Sequence, residues 1–229
     1  MSPVKRVFLA ALMVSVMSPA IRAAELQSTE QQYSYTLGYQ LALRQLSAQP
    51  VAIDGAALGQ GVTDALAGSE PRLSLEQMQA AIDRVKQELS ARKQAQAEQA
   101  LAAGRAFLAE NARKSGVVTL ENGLQYRVLE EGSGEAPGPE ETVTVHYRGT
   151  LIDGTEFDSS YGRGEPTSFP LDAVVPGFRE AITRMRPGAR WQVFMPSELA
   201  YGAEGAGASI GPNETLIFEI ELISIDRGE

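Results

Sequence analysis

The chain has 229 residues, 43% of them apolar and 21% charged, which excludes a wholly disordered or fibrous protein and suits one large domain or two small ones. There is no Cys and a single His, His146, so disulfides, thiol nucleophiles, thiolate metal sites and a two-histidine metal site within one chain are all excluded. Twenty Lys and Arg against 29 Asp and Glu give a net charge of −9, which phosphate backbones repel, so no nucleic acid partner is expected.

Lys5 and Arg6 precede an apolar run, VFLAALMVSVM, and a small-residue segment, SPAIRAA. This is the layout of a secretory signal peptide over residues 1–24. The run of 11 residues falls short of the ~20 that a spanning helix needs, so no integral membrane span is expected after cleavage. Small residues leave the cleavage point open between Ala20 and Ala23 or Ala24. Removing the segment takes away Lys5, Arg6 and Arg22 and brings the net charge to −12. A bacterial leader of this kind implies the periplasm, with outer-membrane association or release left open.

Residues 25–73 read as a helical module. Ser28 or Thr29 caps a helix over 28–46, with Gln31 or Gln32 three residues on, and Tyr33, Leu37, Leu41 and Tyr35, Tyr39, Leu43 recur at i, i+4. A shorter helix starts at Asp54 and runs through Ala57, Leu58, Val62 and Leu66 to Gly68. So few residues do not bury these faces unaided, and the segment needs another chain or the rest of this one.

Residues 74–116 read as a long connecting helix. Ser74 and Gln77 form a capping box, and Leu75, Met78, Ile82, Val85 and Leu89 make a seam. RKQAQAEQA at 92–100 is helix-forming but has no large apolar residue, so it is expected to touch solvent. Leu101, Phe107 and Leu108 resume the pattern, and Lys114, Ser115 and Gly116 look like a helix end. One continuous rod and two helices kinked near Arg92 both fit.

From residue 117 the period drops to 2. Leu124, Tyr126 and Val128 alternate, as do Val143, Val145 and Tyr147; Leu216, Phe218, Ile220 and Leu222 share a face opposite Glu219 and Glu221. Asp153-Gly154 marks a hairpin, and one short helix runs from Pro176 to Met185 before Pro187-Gly188. The expected fold class is therefore α+β, with a helical N-terminal module, a long linking helix, and an antiparallel sheet on one short helix over 117–229.

Familiar catalytic constellations fail. GAEGAG at 202–207 lacks both a phosphate-binding Lys and a following βα unit. His146 points away from the face that Val145 and Tyr147 share. The carboxylates are scattered, with no pair spaced for glycosidase chemistry. What remains is a set of aromatics near strand ends and turns, among which Trp191 and Phe194 read as plain core.

VHYRGTL at 145–151, DGTEFDSSY at 153–161, VVPGFREAI at 174–182, SELAYGAEG at 197–205 and IGPNETLIFEIELI at 210–223 resemble FKBP-type peptidyl-prolyl isomerases in order and spacing. YTLGYQLA at 35–42 and ALGQGVTDALAG at 57–68 resemble the dimeric secreted bacterial subgroup that includes the macrophage infectivity potentiator proteins. The resemblance implies an FKBP-like half-barrel sheet wrapped on its short helix, a homodimerising N-terminal module, and no cofactor or metal. It implies Asp158, Tyr201 and Phe157 as catalytic residues, and Tyr147, Phe169, Val174, Val175, Phe178, Ile210 and Phe218 as substrate-binding. Phe178 stands where single-domain eukaryotic members most often carry a Trp floor, and Ala206 where they carry a loop His. Asp158 is either electrostatically active or a structural partner of Tyr147.

The implied function is acceleration of X-Pro bond rotation in proline-containing polypeptides and assistance to the folding of exported proteins, with macrolides such as rapamycin as competing ligands. The alternative is a dimeric chaperone or adhesion module whose pocket is not essential.

Overall fold

The computed structural model describes residues 26–47 and 50–227, so the leader segment 1–24 lies outside the described residues. The described residues divide into two compact units between Pro71 and Arg72.

In the first unit, α1 spans Thr29–Leu41 and continues as a π-helical turn over Ala42–Leu46, and α2 spans Gly55–Leu66. Ser28 caps α1 through a reciprocal capping box with Gln31, satisfying two N-terminal N–H groups. Asp54 caps α2 by accepting from the N–H groups of Ala56 and Ala57. None of the described residues of this unit is buried. Tyr33, Tyr35, Leu37 and Leu43 are each at least half exposed.

The second unit opens with α3, Leu75–Asn111, an unbroken helix of 37 residues capped by Ser74 and Gln77. It ends short of Lys114, and Gly116 takes its left-handed conformation (φ 79°) only after a further turn. Seven strands follow: β1 Val117–Thr119, β2 Gln125–Glu130, β3 Thr142–Leu151, β4 Glu156–Ser159, β5 Thr167–Pro170, β6 Arg190–Met195 and β7 Leu216–Asp226. Helix α4, Ser160–Arg163, follows β4, and α5, Pro176–Ile182, precedes β6. All pairings are antiparallel, in the order β1-β2-β6-β7-β3-β4, and β5 pairs with the first half of β3. Because β3 gives one edge to β5 and then to β4, the sheet curls around α5. Phe178, Ala181 and Ile182 of α5 are buried against Val143, Val145, Val193 and Ile220. The expected face of β7 is the core face: Leu216, Ile220 and Leu222 are fully buried.

The back of the sheet holds a feature that alternation does not predict. Gln125 and Phe194 point outward from neighbouring positions of β2 and β6, yet only 3% and 5% of them is exposed. The second half of α3 covers them. Phe107 packs on Phe194 with ring centroids 5.9 Å apart. Gln125 accepts from the Asn111 amide at 3.0 Å and donates to the Leu108 carbonyl at 2.9 Å. Gly104 lets the helix approach Thr215, whose Oγ1 would lie 2.2 Å from a Cβ at that position. The polar stretch 92–100 is exposed on most sides, as expected, but Ala97 and Ala100 are half-buried along the side that continues to Gly104. Thus α3 from Ala97 onward packs on the isolated-looking sheet rather than standing clear of it.

Candidate active site

Strand alternation and the curl of the sheet bring one wall of aromatics together. On β3, Val143 and Val145 are fully buried and Tyr147, two residues further along the same face, is half-buried at the rim. β4 contributes Phe157, β5 Phe169 and β7 Phe218. From α5, Phe178 rises through the centre. Its ring meets Phe218 edge-on at 5.0 Å and 78°, Tyr147 edge-on at 6.0 Å and 82°, and Phe169 at 5.7 Å. Phe157 stands edge-on to Phe218 at 5.5 Å. These edge-to-face contacts fix ring orientations beyond what burial alone would do.

The rings enclose a cavity of about 270 Å³, lined by Tyr147, Phe157, Asp158, Phe169, Ala173, Val174, Val175, Phe178, Tyr201 and Phe218. Nine of the ten residues singled out in the sequence therefore line one cavity. Ile210 does not. It is only 8% exposed and packs in the core, and its backbone pairs with Ala206 in an isolated two-residue bridge. A larger space of about 480 Å³ lies between α3 and the 208–214 segment, but Gln96, Gln99, Asp153 and Glu214 give it a polar lining with no aromatic ring.

The rim is polar and held by one cation. Tyr147 donates its hydroxyl to Asp158 Oδ2 at 2.5 Å. Arg163 donates to Asp158 Oδ1 at 2.6 Å, to the Tyr147 hydroxyl at 3.0 Å and to Thr167 Oγ1 at 3.0 Å. The chain reaches this arrangement through α4. Ser159 caps that single turn, and Gly164 (φ 79°) ends it, which swings Arg163 back over the rim. Ser160, fully buried, accepts from the Tyr147 backbone N–H at 2.8 Å and fixes the strand where pairing gives way to α4. Burial opposes the charge on Asp158, but hydrogen bonds from Tyr147 and Arg163 and the Arg163 charge outweigh it, and its carboxyl is held below the ordinary value. Burial, then the Asp158 carboxylate, raise the Tyr147 phenol above its ordinary value. Arg163 carries no signal of period or motif, since it lies just past DGTEFDSSY; Ala173 and Gly149 were likewise not singled out. His146 faces the back of the sheet, stacked on Tyr161 at 4.6 Å and 3.0 Å from Ser160 Oγ.

The amino-acid pattern and this geometry match known proteins over nearly the whole chain. Residues 133–223 match the model of FKBP-type peptidyl-prolyl cis-trans isomerases, and residues 30–128 match that of the domain amino-terminal to such isomerases. The chain is 41% identical over 225 residues to the outer membrane protein MIP of Legionella longbeachae, covering 95% of this chain and 96% of that one. It is 40% identical over 233 residues to the peptidyl-prolyl cis-trans isomerase Mip of Coxiella burnetii, covering 97% and 99%. The chain belongs to the FKBP-type peptidyl-prolyl cis-trans isomerases. The solved structure of FkpA from Escherichia coli superposes with a TM-score of 0.67 at 38% identity, covering 88% of this chain and 98% of that one. The helical amino-terminal part followed by the FKBP sheet is thus the arrangement of the Mip and FkpA group.

Proposed function

We propose that this FKBP-type isomerase binds an X-Pro segment in the aromatic cavity, with the proline ring over Phe178 and between Tyr147, Phe157, Phe169 and Phe218. The observation that carries the reading is the cavity itself: an apolar space of about 270 Å³ with a few polar groups at one rim. An X-Pro amide turns over a barrier of ~18–20 kcal/mol and takes tens to hundreds of seconds unaided. The planar amide is more charge-separated than the twisted one, so water stabilises the ground state more. A cavity that strips water from the amide lowers the barrier without a nucleophile, acid or metal.

Tyr201 and Val175 both line this space, and among the described residues no hydrogen bond is donated by the Tyr201 hydroxyl or by the Val175 backbone N–H just before α5. In this reading they hold substrate carbonyls, and Val174 packs beside them. Asp158 acts as a positioning residue: with Arg163 2.6 Å away its charge is largely compensated, and its main effect is to fix the Tyr147 ring. Tyr201→Phe removes one hydroxyl and keeps the ring. It is expected to lower kcat/KM about tenfold, the value of one hydrogen bond, with no change in melting temperature. An unchanged rate in a protease-coupled peptide assay would remove Tyr201 from the mechanism.

The pH dependence follows from the rim. Asp158 has a depressed value in the folded state, so its contribution to stability is full above its ordinary value near 3.8 and is lost as pH falls through the lower folded value. Tyr147 is raised, so it stays neutral past its ordinary value of 10.0. The pH profile of kcat/KM is therefore expected to be flat from about pH 5 to 9. A bell-shaped profile within that range would point to acid–base catalysis instead.

The exposed apolar faces of α1 and α2 support homodimerisation through the N-terminal unit. Two pockets on one dimer raise the effective concentration for a second contact with an unfolded client, which suits assistance to exported proteins. We assign the protein to the periplasm on its leader sequence, with outer-membrane association the finer alternative. Among the described residues no helix is long and apolar enough to cross a membrane. Macrolides such as rapamycin are expected to compete for the same cavity. Light scattering of the mature chain is expected to give twice the chain mass at micromolar concentration; a mass of one chain would overturn the dimer.

A further inference from the structure

Tyr201 sits on a loop that has little regular structure of its own. Gly202, Gly205 and Gly207 all adopt left-handed conformations (φ 54°, 71° and 56°), and the bridge between Ala206 and Ile210 is the loop's own pairing. The loop is closed at its far end by Asn213, whose backbone N–H donates to the Gly202 carbonyl at 2.8 Å, one peptide beyond Tyr201. Asn213 is also the only non-glycine residue at positive φ among the described residues, at 58°. Its side chain leaves the loop altogether: Nδ2 donates to the carbonyl of Ala97 on α3 at 3.3 Å.

That acceptor is fixed. Two turns further along α3, Gly104 admits Thr215 at a distance no larger residue allows, and Thr215 leads into β7 and Phe218. A second link, Lys93 to Glu204 at 3.3 Å, has side chains 54% and 90% exposed. An ion pair so open to water contributes little. The half-buried Asn213 is the firmer tie.

We infer that Asn213 is a positioning residue for catalysis, holding the Tyr201 loop against α3, so that the helix forms part of the active-site framework. Glycine would satisfy the left-handed turn at least as well. What asparagine adds is a donor aimed at the helix. The inference rests on the isomerase reading of the pocket and extends it to a residue outside the cavity.

The test uses the full mature chain and a proline-containing peptide. Asn213→Gly keeps the backbone conformation and the N–H to Gly202 and removes only the tie to Ala97. Asn213→Asp keeps the size of the side chain but replaces the donating amide with an acceptor. Each is expected to lower kcat/KM about three- to tenfold at a temperature well below unfolding. Each loss is expected to shrink to less than twofold when Tyr201 is already Phe, because both changes act through the same hydroxyl. A merely structural role moves the melting temperature and leaves that coupling at zero. Unchanged kcat/KM in both variants, or losses that multiply fully with Tyr201→Phe, would overturn the inference while leaving the isomerase reading intact. An inactive wild-type chain would overturn both.

Discussion

Replacing Gly149 with Ala is expected to lower kcat/KM by tenfold or more while leaving the sheet folded. Gly149 is buried on β3, opposite Asp158 on β4 and Phe218 on β7. A Cβ at this position would lie 2.5 Å from Cζ of Phe157 and 2.8 Å from Cε1 of Phe218. Both rings are cavity walls, and their edge-on packing leaves neither free to turn alone. Overpacking of this kind costs about 1–3 kcal/mol. Part of that strain relaxes by displacing Phe157 and Phe218, which narrows or skews the cavity. A tenfold loss needs only ~1.4 kcal/mol of lost transition-state stabilisation. The measurement is kcat/KM beside far-ultraviolet circular dichroism of the same sample. An unaltered rate would mean that the positions of these two walls do not matter to the reaction.

The second large effect concerns where the catalytic part can be cut. The sheet begins at Val117, and sequence periodicity alone invites a truncation there. The structure predicts that such a chain is markedly less stable than one that begins at Arg72 and keeps α3. Cutting at 117 removes Phe107 from Phe194, deprives Gln125 of both Asn111 and the Leu108 carbonyl, and opens the Gly104–Thr215 contact. A fully buried large apolar side chain contributes about 1.5–3 kcal/mol, and an aromatic pair about 0.5–1.5 more. Partial burial of Phe107, Leu108 and Leu101 then gives a loss on the order of 3–5 kcal/mol. For a domain near this size that lowers the melting temperature by about 10 °C or more. Equal melting temperatures for the two chains would mean that α3 rests on the sheet without stabilising it.

These cases show which parts of the molecule sequence makes legible. Strand faces were readable because water selects them residue by residue: Leu216, Phe218, Ile220 and Leu222 alternate with Glu219 and Glu221, and the first four are all buried. Eight of the ten cavity-lining residues were readable because they fall inside spaced motifs; Phe169 and Ala173 lie between two of those motifs. Gln125 was not, since alternation assigns an outward residue to solvent and cannot register that a helix far back in the chain covers it; Phe194 is buried as expected, but under α3 on the back of the sheet. Arg163 escaped for a related reason. Its role arises from a single turn, ended by Gly164, that folds it back over Asp158 and Tyr147. Ile210 shows the reverse case: its motif runs beside the cavity, yet the residue itself is buried in the core.

Loss of water around the amide in the aromatic cavity, with no proton transfer or covalent step, is expected to speed rotation about the X-Pro bond. The most direct measurement is a protease-coupled isomerisation assay of the mature chain on a peptide with a large apolar residue before proline. The expected result is a cis-to-trans rate that rises linearly with enzyme concentration well above the uncatalysed relaxation and does not vary from about pH 5 to 9. A folded chain that leaves the uncatalysed rate unchanged at micromolar concentration would contradict the account.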